Sequence, residues 1–394
     1  MNNRMLAEGV FFVGAIDWDR RLFDSLIPLP DGTSYNSYLI KGSEKTALID
    51  TVDPTMTDVL MGHLDKLEIK KIDYVIANHA EQDHSGSLPH VLRKYPEAKL
   101  VCSPRCKEFL IELLMIPENK FQTVNDKDTI SLGNRTLEFI HAPWVHWPET
   151  ILTYLREDKI LFPCDLFGSH LATNELFVTD EGRVYEAAKR YYAEIMMPFW
   201  SNIQKHLERL KGYGINTIAP SHGPVYNRPE SILKAYRSWV FDEPKNIVVL
   251  PYISMHGSTQ KMVRHFAEAL TERGVTVKQF DLTETDLGKL AMALVDAATV
   301  VVGVPTVLAA AHPNAAHAVF LANALRPKLK FVSIIGSYGW GGKTVEQLSA
   351  MMPNLKVEVL PPVLCKGLPK EADLKALDNL AETIAQKHKE NKFA

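Results

Sequence analysis

The hexapeptide His79-Ala80-Glu81-Gln82-Asp83-His84 constrains this chain more than any other stretch, because it crowds four nitrogen or oxygen ligands into six residues. An apolar run of strand character, Ile72-Asp73-Tyr74-Val75-Ile76-Ala77, leads into it. Ser85-Gly86-Ser87 leads out of it to a helix start at Leu88-Pro89-His90-Val91-Leu92. The motif is therefore expected on a loop at the end of a buried strand, where a scaffold holds ligands rigidly. Imidazole nitrogen and carboxylate oxygen suit iron, manganese or zinc, and no thiolate is offered. Residues 79 and 81 can point one way and 83 and 84 another, so one loop can feed two adjacent metals. A solvated polar loop would carry the same residue types but would have no distant partners.

This loop has partners. Leu137-Glu138-Phe139-Ile140 reads as a strand running into His141-Ala142-Pro143-Trp144-Val145-His146-Trp147-Pro148-Glu149, a loop stiffened by two prolines. His146 is taken as a ligand and His141 as structural. Lys159-Ile160-Leu161-Phe162-Pro163-Cys164 is a strand ending at Asp165, whose two carboxylate oxygens can serve two metals. A fourth site is His222, within Ile218-Ala219-Pro220-Ser221-His222-Gly223-Pro224. The candidate ligands are thus His79, Glu81, Asp83, His84, His146, Asp165 and His222. They use four of the fourteen histidines, so histidine abundance does not create the pattern. Asp50, ending a strand over 45–50, either braces the metal loop from behind or is an ordinary strand-end polar residue. Other strands read at 9–16, 36–41, 99–102 and near 127–140. Helices over Thr55–Leu67 and Ser103–Leu114 lie between them, which fits a sandwich covered by helices.

A chain of 394 residues is long for one domain, and a domain boundary is expected near Asp242-Glu243-Pro244. Beyond that junction, Ile247-Val248-Val249-Leu250 reads as a strand, followed by Ser254-Met255-His256-Gly257-Ser258-Thr259 and a helix over Gln260–Leu270. A strand, a hydroxyl-rich loop and a helix N-terminus make an anion site, although Ser and Thr are also ordinary caps. Strands recur at 275–278, 299–302 and 330–335 with helical segments between, the pattern of a doubly wound parallel sheet. Two further strand ends carry Gly303-Val304-Pro305-Thr306-Val307-Leu308 and Gly336-Ser337-Tyr338-Gly339-Trp340-Gly341-Gly342. The glycines allow close backbone approach, and Tyr338 and Trp340 offer flat faces to an isoalloxazine ring.

Composition narrows the function classes. At 46% hydrophobic and 23% charged the chain has enough apolar residues for full cores, and a net charge of -3 gives no case for nucleic acid or a polybasic membrane surface. No signal peptide is read at the N-terminus, and the apolar stretch 297–311 is too short to span a bilayer. The four cysteines form no C-x-x-C, so reduced thiols in a cytoplasmic protein are expected.

The hexapeptide resembles the metal loop of the metallo-β-lactamase superfamily, His-x-[His/Glu]-x-Asp-His. Glu81, where the zinc hydrolases carry His, makes it similar to the diiron loop of flavodiiron proteins. His146-Trp147-Pro148 and Ser221-His222-Gly223-Pro224 resemble that family's later ligand loops, and Gly336–Gly342 resembles its flavin loop. The resemblance implies a metallo-β-lactamase-like αββα sandwich over 1–243 and a flavodoxin-like FMN domain over 244–394. It implies two irons per chain: His79, Glu81 and His146 on one, Asp83, His84 and His222 on the other, and Asp165 bridging. Whether His84 binds metal stays open, since that position can turn away in the family. His170 and Tyr192 are expected in the pocket wall. Ser254–Thr259, Pro305–Leu308 and Ser337–Gly341 are expected around FMN. The chain departs from the family pattern at His256, Val304 and Leu308, which leaves fewer side-chain hydrogen bonds for the flavin.

By this resemblance the chain passes electrons from FMN to the iron pair and reduces O2 to water, NO to N2O, or both. Rubredoxin, a reduced deazaflavin or a flavin reductase are the candidate donors. The rival reading is a zinc hydrolase with a flavodoxin-like appendage. The junction at Asp242-Glu243-Pro244 is too short to swing one domain over the other. A head-to-tail homodimer, or a dimer of such dimers, is therefore expected, with Trp147 against the partner's flavin.

Overall fold

Short runs of β-branched and aromatic residues, broken by Gly, Ser and Asp turns, build the first part of the chain into two stacked sheets. The computed structural model describes residues 4–393. It divides into two compact units, one formed by the chain through Tyr192 with Phe199–Val240, the other by Ala193–Pro198 with the chain from Phe241 onward.

Among the described residues, the first unit has a seven-stranded sheet in the order Met5–Ala7, Val10–Phe12, Tyr38–Lys41, Thr46–Ile49, Tyr74–Ile76, Lys99–Cys102 and Phe121–Thr123. A five-stranded sheet follows in the order Thr129–Ser131, Thr136–His141, Ile151–Leu155, Ile160–Phe162 and Thr217–Ile218. The pleat sends alternate side chains to opposite faces. Leu39, Leu48, Val75 and Leu100 pack beneath Leu60, Leu64, Val91 and Leu110 of the helices Thr57–Lys66, Leu88–Lys94 and Pro104–Leu114. Their strand neighbours Ile40, Ala47, Ile49, Ile76 and Val101 face the other way and meet Leu137, Phe139, Ile151, Leu155 and Phe162 of the second sheet. The result is the αββα sandwich that the resemblance implied.

Each ligand-bearing segment leaves the C-terminal end of a strand. His79 follows Tyr74–Ile76, His146 follows Thr136–His141, Asp165 follows Ile160–Phe162 and His222 follows Thr217–Ile218. The last two strands run parallel, so their ends lie together. One expectation needs correction: the hexapeptide is not wholly a loop, because Gln82–Ser85 forms a helical turn. Its first carbonyl, on Glu81, accepts from the His84 and Ser85 amides at 3.1 and 2.9 Å. The Ser85 hydroxyl donates to the Ala80 carbonyl at 2.6 Å, and the Thr51 amide and hydroxyl both donate to the His84 carbonyl.

The second unit is a parallel sheet in the order Thr276–Asp281, Lys245–Tyr252, Ala297–Val307, Phe331–Tyr338 and Glu358–Val359, with Val363–Lys366 continuing beside Phe331–Tyr338. Strand order reverses beside Lys245–Tyr252, the place where doubly wound sheets open a crevice. Helices Ser258–Glu272 and Glu371–Glu390 bury Phe266, Leu270, Leu377 and Ile384 against Val248, Leu250, Val301 and Ile335 on one face. On the other, Leu290 and Val319 of helices Leu287–Leu294 and Pro313–Leu325 gather with Val300, Val302 and Val332. The four cysteines are free and buried. No helix of the described residues is long and apolar enough to cross a membrane.

Two glycine substitutions test the packing. Gly336 pairs with Val304 in the adjacent strand, and a Cβ there would stand 2.0 Å from the Val304 carbonyl oxygen. Gly336→Ala is expected to destabilise its unit by about 2 kcal/mol or more, since the strands must part. Gly62 lies inside helix Thr57–Lys66 with nothing within 4 Å, so Gly62→Ala is expected to stabilise by about 0.5–1 kcal/mol. Urea unfolding followed by circular dichroism checks both signs.

Candidate functional site

The strand-end segments bring all seven candidate ligands together as two sets. The first is His79, Glu81, His146 and Asp165, and the second Asp83, His84 and His222, the ligand atoms within each set lying within 4.8 Å of one another. His146 Nε2 is 3.2 Å from Glu81 Oε2 and 3.1 Å from Asp165 Oδ2, and His79 Nε2 is 3.1 Å from Glu81 Oε2 and 3.6 Å from Asp165 Oδ2. In the second set, His222 Nε2 and His84 Nε2 lie 3.2 and 3.3 Å from Asp83 Oδ2. The same two nitrogens lie 3.3 and 3.0 Å from Asp165 Oδ1. Asp165 thus presents Oδ2 to one set and Oδ1 to the other. The His84 ring turns into the second set.

Hydrogen bonds from behind fix His79, His222 and Asp165. His79 Nδ1–H donates to Glu149 Oε1 at 2.7 Å, and the Ala80 amide donates to the same oxygen at 3.0 Å. His222 Nδ1–H donates to the Ser34 carbonyl at 2.6 Å. Each bond sets the tautomer that frees Nε2 for the cluster. The Tyr191 hydroxyl donates to Asp165 Oδ1 at 2.7 Å. Asp50 takes the bracing role: its carboxylate accepts from the Asn78 amide and side chain at 2.8 and 2.9 Å, one residue before His79. Gly223, at φ +77°, lets the chain turn past Ser169, where a Cβ would come within 2.0 Å of the hydroxyl. His141 Nε2 meets the Val124 carbonyl at 3.0 Å, a structural contact.

The electrostatics ask for cations. Burial opposes charge on His146 and His222. The carboxylates nonetheless outweigh it, Asp165 and Glu81 lifting His146 to about 9 and Asp165 and Asp83 lifting His222 to about 10. Burial likewise opposes ionisation of Glu81, but bonds from His146 and His79 hold its carboxyl well below the usual range. Protons on histidine here stand where metal ions would. The buried Asp83 oxygens and His84 nitrogens lack aligned hydrogen-bond partners although they lie close to other members of the cluster. Metal–ligand bonds of about 2.1 Å place neighbouring ligand atoms about 3 Å apart, which matches the separations above. An all-nitrogen-and-oxygen donor set, with three carboxylates, suits a pair of iron ions.

In the second unit a cleft opens at the C-terminal strand ends. Ser254, Met255, His256, Ser258 and Thr259 line one side, Pro305 and Thr306 another, and Ser337, Tyr338 and Gly339 a third. The Ser254 hydroxyl accepts from the Gly257 and Gln260 amides at 3.1 and 3.2 Å, closing the loop at the helix start. Thr259 and Ser337 share a hydrogen bond of 2.9 Å across the cleft floor. Such a loop at a helix N-terminus, beside a hydroxyl-lined floor, fits a phosphate with a flat ring above it. Gly257, Val307, Leu308, Trp340 and Gly341 do not line this cleft. Leu308 and Trp340 stand exposed at 89% and 79%. Gly367, which the sequence reading passed over, does line it.

The structure also sorts the wall residues. His170 is buried, its ring 4.9 Å from that of His222 and 4.8 Å from that of Tyr191, and Nδ1 shares a 2.9 Å hydrogen bond with Thr33. Burial, then the neighbouring His222, keeps it neutral. Trp147 packs edge-on against His79 at 4.9 Å. Tyr192, expected in the wall, instead donates to the Trp239 carbonyl at 3.3 Å and packs on Tyr236 and Trp239; Tyr191 is the tyrosine that reaches the cluster. The helical period held the signal, since Val184, Ala188 and Tyr191 share the buried face of Glu181–Tyr191. Glu149 was also missed, although an acidic residue two positions before the apolar strand Ile151–Leu155 was a clue.

A family model described as ODP family beta lactamase matches residues 33–223, and a flavodoxin model matches residues 250–378. The chain is 34% identical over 389 residues to a nitric oxide reductase of Moorella thermoacetica, covering 96% of this chain and 97% of that protein. It resembles the solved rubredoxin oxygen:oxidoreductase from Desulfovibrio gigas with a TM-score of 0.94 and 31% identity, over 99% of each chain. It also resembles the flavodiiron protein from Giardia intestinalis, with a TM-score of 0.89 and 28% identity over 99% of this chain and 98% of that one.

Glu149→Gln keeps shape but removes the charge behind His79. Its expected effect is a loss of about tenfold to a hundredfold in metal affinity, read by competition with a chelator in metal-loaded protein.

Proposed function

Because the chain belongs to the flavodiiron proteins, we propose that it passes electrons from FMN to a non-haem iron pair that reduces O2 to water, NO to N2O, or both. The observation that carries this reading is Asp165, which presents one oxygen to each of two adjacent ligand sets. In this reading His79, Glu81 and His146 hold one iron, Asp83, His84 and His222 the other, and Asp165 spans both. The loop Ser254–Thr259 takes the FMN phosphate, while Pro305, Thr306, Ser337, Tyr338 and Gly339 flank the ring. When bound, the iron pair would supply the redox chemistry and FMN the electrons.

The chain's own residues do the rest. Glu149 and the Ser34 carbonyl keep the histidines in the tautomer whose Nε2 is free. Tyr191 holds Asp165 in its two-sided orientation. The buried His170 ring and the half-buried Trp147 ring wall the centre beside His222 and His79, which limits access of bulk water to these histidines. A zinc hydrolase of the same fold finds less support: Glu81 adds a third carboxylate where hydrolases use imidazole, and hydrolysis leaves the flavin unit without a task.

The reading divides the chain at 243/244 and places it in the cytoplasm. It pairs two chains head to tail, so that each flavin domain serves the partner's iron centre. Rubredoxin, a reduced deazaflavin or a flavin reductase supplies the electrons. Complementation tests the pairing. A metal-dead chain carrying Asp83→Ala and His222→Ala is co-expressed with a flavin-dead chain mutated in the Ser254–Thr259 loop. Purified mixed dimers are expected to regain part of the O2 or NO reductase activity that both parents lack. Folded mixed dimers that stay inactive would show that electrons pass within one chain. Asp165→Ala is expected to leave at most one iron per chain by metal analysis, and retention of both would remove the bridging role.

A further inference from the structure

One of the buried cysteines stands at the ligand cluster. Cys164 lies just beyond strand Ile160–Phe162 and immediately precedes Asp165. Its thiol points at that carboxylate, with Sγ 4.0 Å from Oδ2. The Cys164 sulfur, a His84 ring nitrogen and an Asp165 oxygen all lie within 4.8 Å of one another, a third ligand set beside the two described above. Cys102, Cys106 and Cys365 belong to no such set among the described residues. Cys164 is left-handed at φ +52°, a backbone conformation that favours Gly, Asn and Asp. The Ser221 amide donates to its carbonyl at 2.9 Å, which ties this turn to the loop that carries His222.

His84 points to a ligand independently of the thiol. It is buried, and neither ring nitrogen has an aligned hydrogen-bond partner. His79 and His222 are each held by a bond from Nδ1, to Glu149 and to the Ser34 carbonyl, and no such bond commits His84. Its Nε2 lies 3.0 Å from Asp165 Oδ1. The Asp165 carboxylate thus faces His84 with one oxygen and Cys164 with the other. Sulfur, imidazole nitrogen and carboxylate oxygen make a softer donor set than that of the iron pair, one that suits zinc or its heavier congener cadmium. Bonds of about 2.3 Å to sulfur and about 2.1 Å to oxygen, at a tetrahedral angle, set those two atoms about 3.6 Å apart. Closing the present 4.0 Å asks for a shift of about 0.4 Å.

We propose that Cys164, His84 and Asp165 form a site for a thiophilic divalent cation, zinc or cadmium, whose occupation competes with the iron pair. On binding, the Cys164 S–H bond breaks, its proton goes to solvent and a sulfur–metal bond forms, with no change of oxidation state. The cation takes His84 and Asp165 from the iron ligands, so it and a complete iron pair exclude one another. The exclusion rests on the functional reading above; the cation site itself rests on the ligand geometry alone.

The test uses the full-length chain, stripped of metal by a chelator and titrated with cadmium chloride. The ultraviolet charge-transfer band of a thiolate–cadmium bond is expected to appear. Cys164→Ser is expected to lose the band and to bind cadmium about a hundredfold more weakly, while Cys365→Ser keeps both. Cys164→Asn suits the left-handed backbone, and it is expected to repeat the loss with circular dichroism unchanged. Reconstitution with ferrous iron in the presence of equimolar cadmium is expected to leave the wild type with fewer irons than Cys164→Ser. No band in the wild type, or a band that survives in both Cys164 variants, overturns the proposal. Equal iron uptake by the wild type and Cys164→Ser beside cadmium overturns the exclusion. A chain that shows the band but takes up no iron pair when iron alone is supplied overturns the functional reading instead.

Discussion

Three buried or half-buried carboxylates and four imidazoles meet in one small volume, and the first unit is arranged around their mutual repulsion and attraction. Carboxylates this close cannot all ionise without positive charge between them. In the bare protein the histidines supply it as protons, with His146 and His222 held to about 9 and 10 after burial is overcome. Two metal ions supply it with better geometry, since the separations already match the edges of coordination polyhedra. The strand ends fix where each group stands, and the bonds to Glu149, Ser34 and Tyr191 fix how His79, His222 and Asp165 are turned, with Asp50 holding Asn78 beside His79.

Much of this was legible in sequence because ligands are local facts. A His, Glu or Asp just after an apolar run is visible in the chain, and His79, His146, Asp165 and His222 each sit in that position. What was not legible depends on how side chains are turned. The helical turn Gln82–Ser85 arises from bonds with Thr51 and Ala80, a partner distant in sequence and one hidden in the motif itself. Glu149 gains its role only when the sheets bring it beneath His79, some seventy residues away in the chain. Choosing between Tyr191 and Tyr192 required the helical phase of Glu181–Tyr191, which ends at the first of the two.

The second unit shows the same division. Its parallel sheet was readable from alternating apolar runs and helices, while the detail of the loops was not. Val304 and Leu308, odd residues for flavin contacts, have structural tasks. Val304 is buried in its strand with its carbonyl close against Gly336. Leu308 and Ala309, at φ +52° and +61°, turn the short hairpin that pairs Thr306 with Ala311. That turn carries Leu308 outward, so the cleft is lined by Pro305 and Thr306. The cleft itself is lined by the hydroxyl residues Ser254, Ser258, Thr259, Thr306 and Ser337 and by Tyr338.

The central claim is that one polypeptide carries both a two-iron centre and a flavin. Elemental analysis of protein purified without added metal, beside chromatography of the flavin released on denaturation, measures it directly. The account predicts about two irons and one FMN per chain, the metal lost with disruption of the first unit's ligands and the flavin with disruption of the second unit's cleft. Zinc in place of iron, or a released flavin other than FMN, would contradict it.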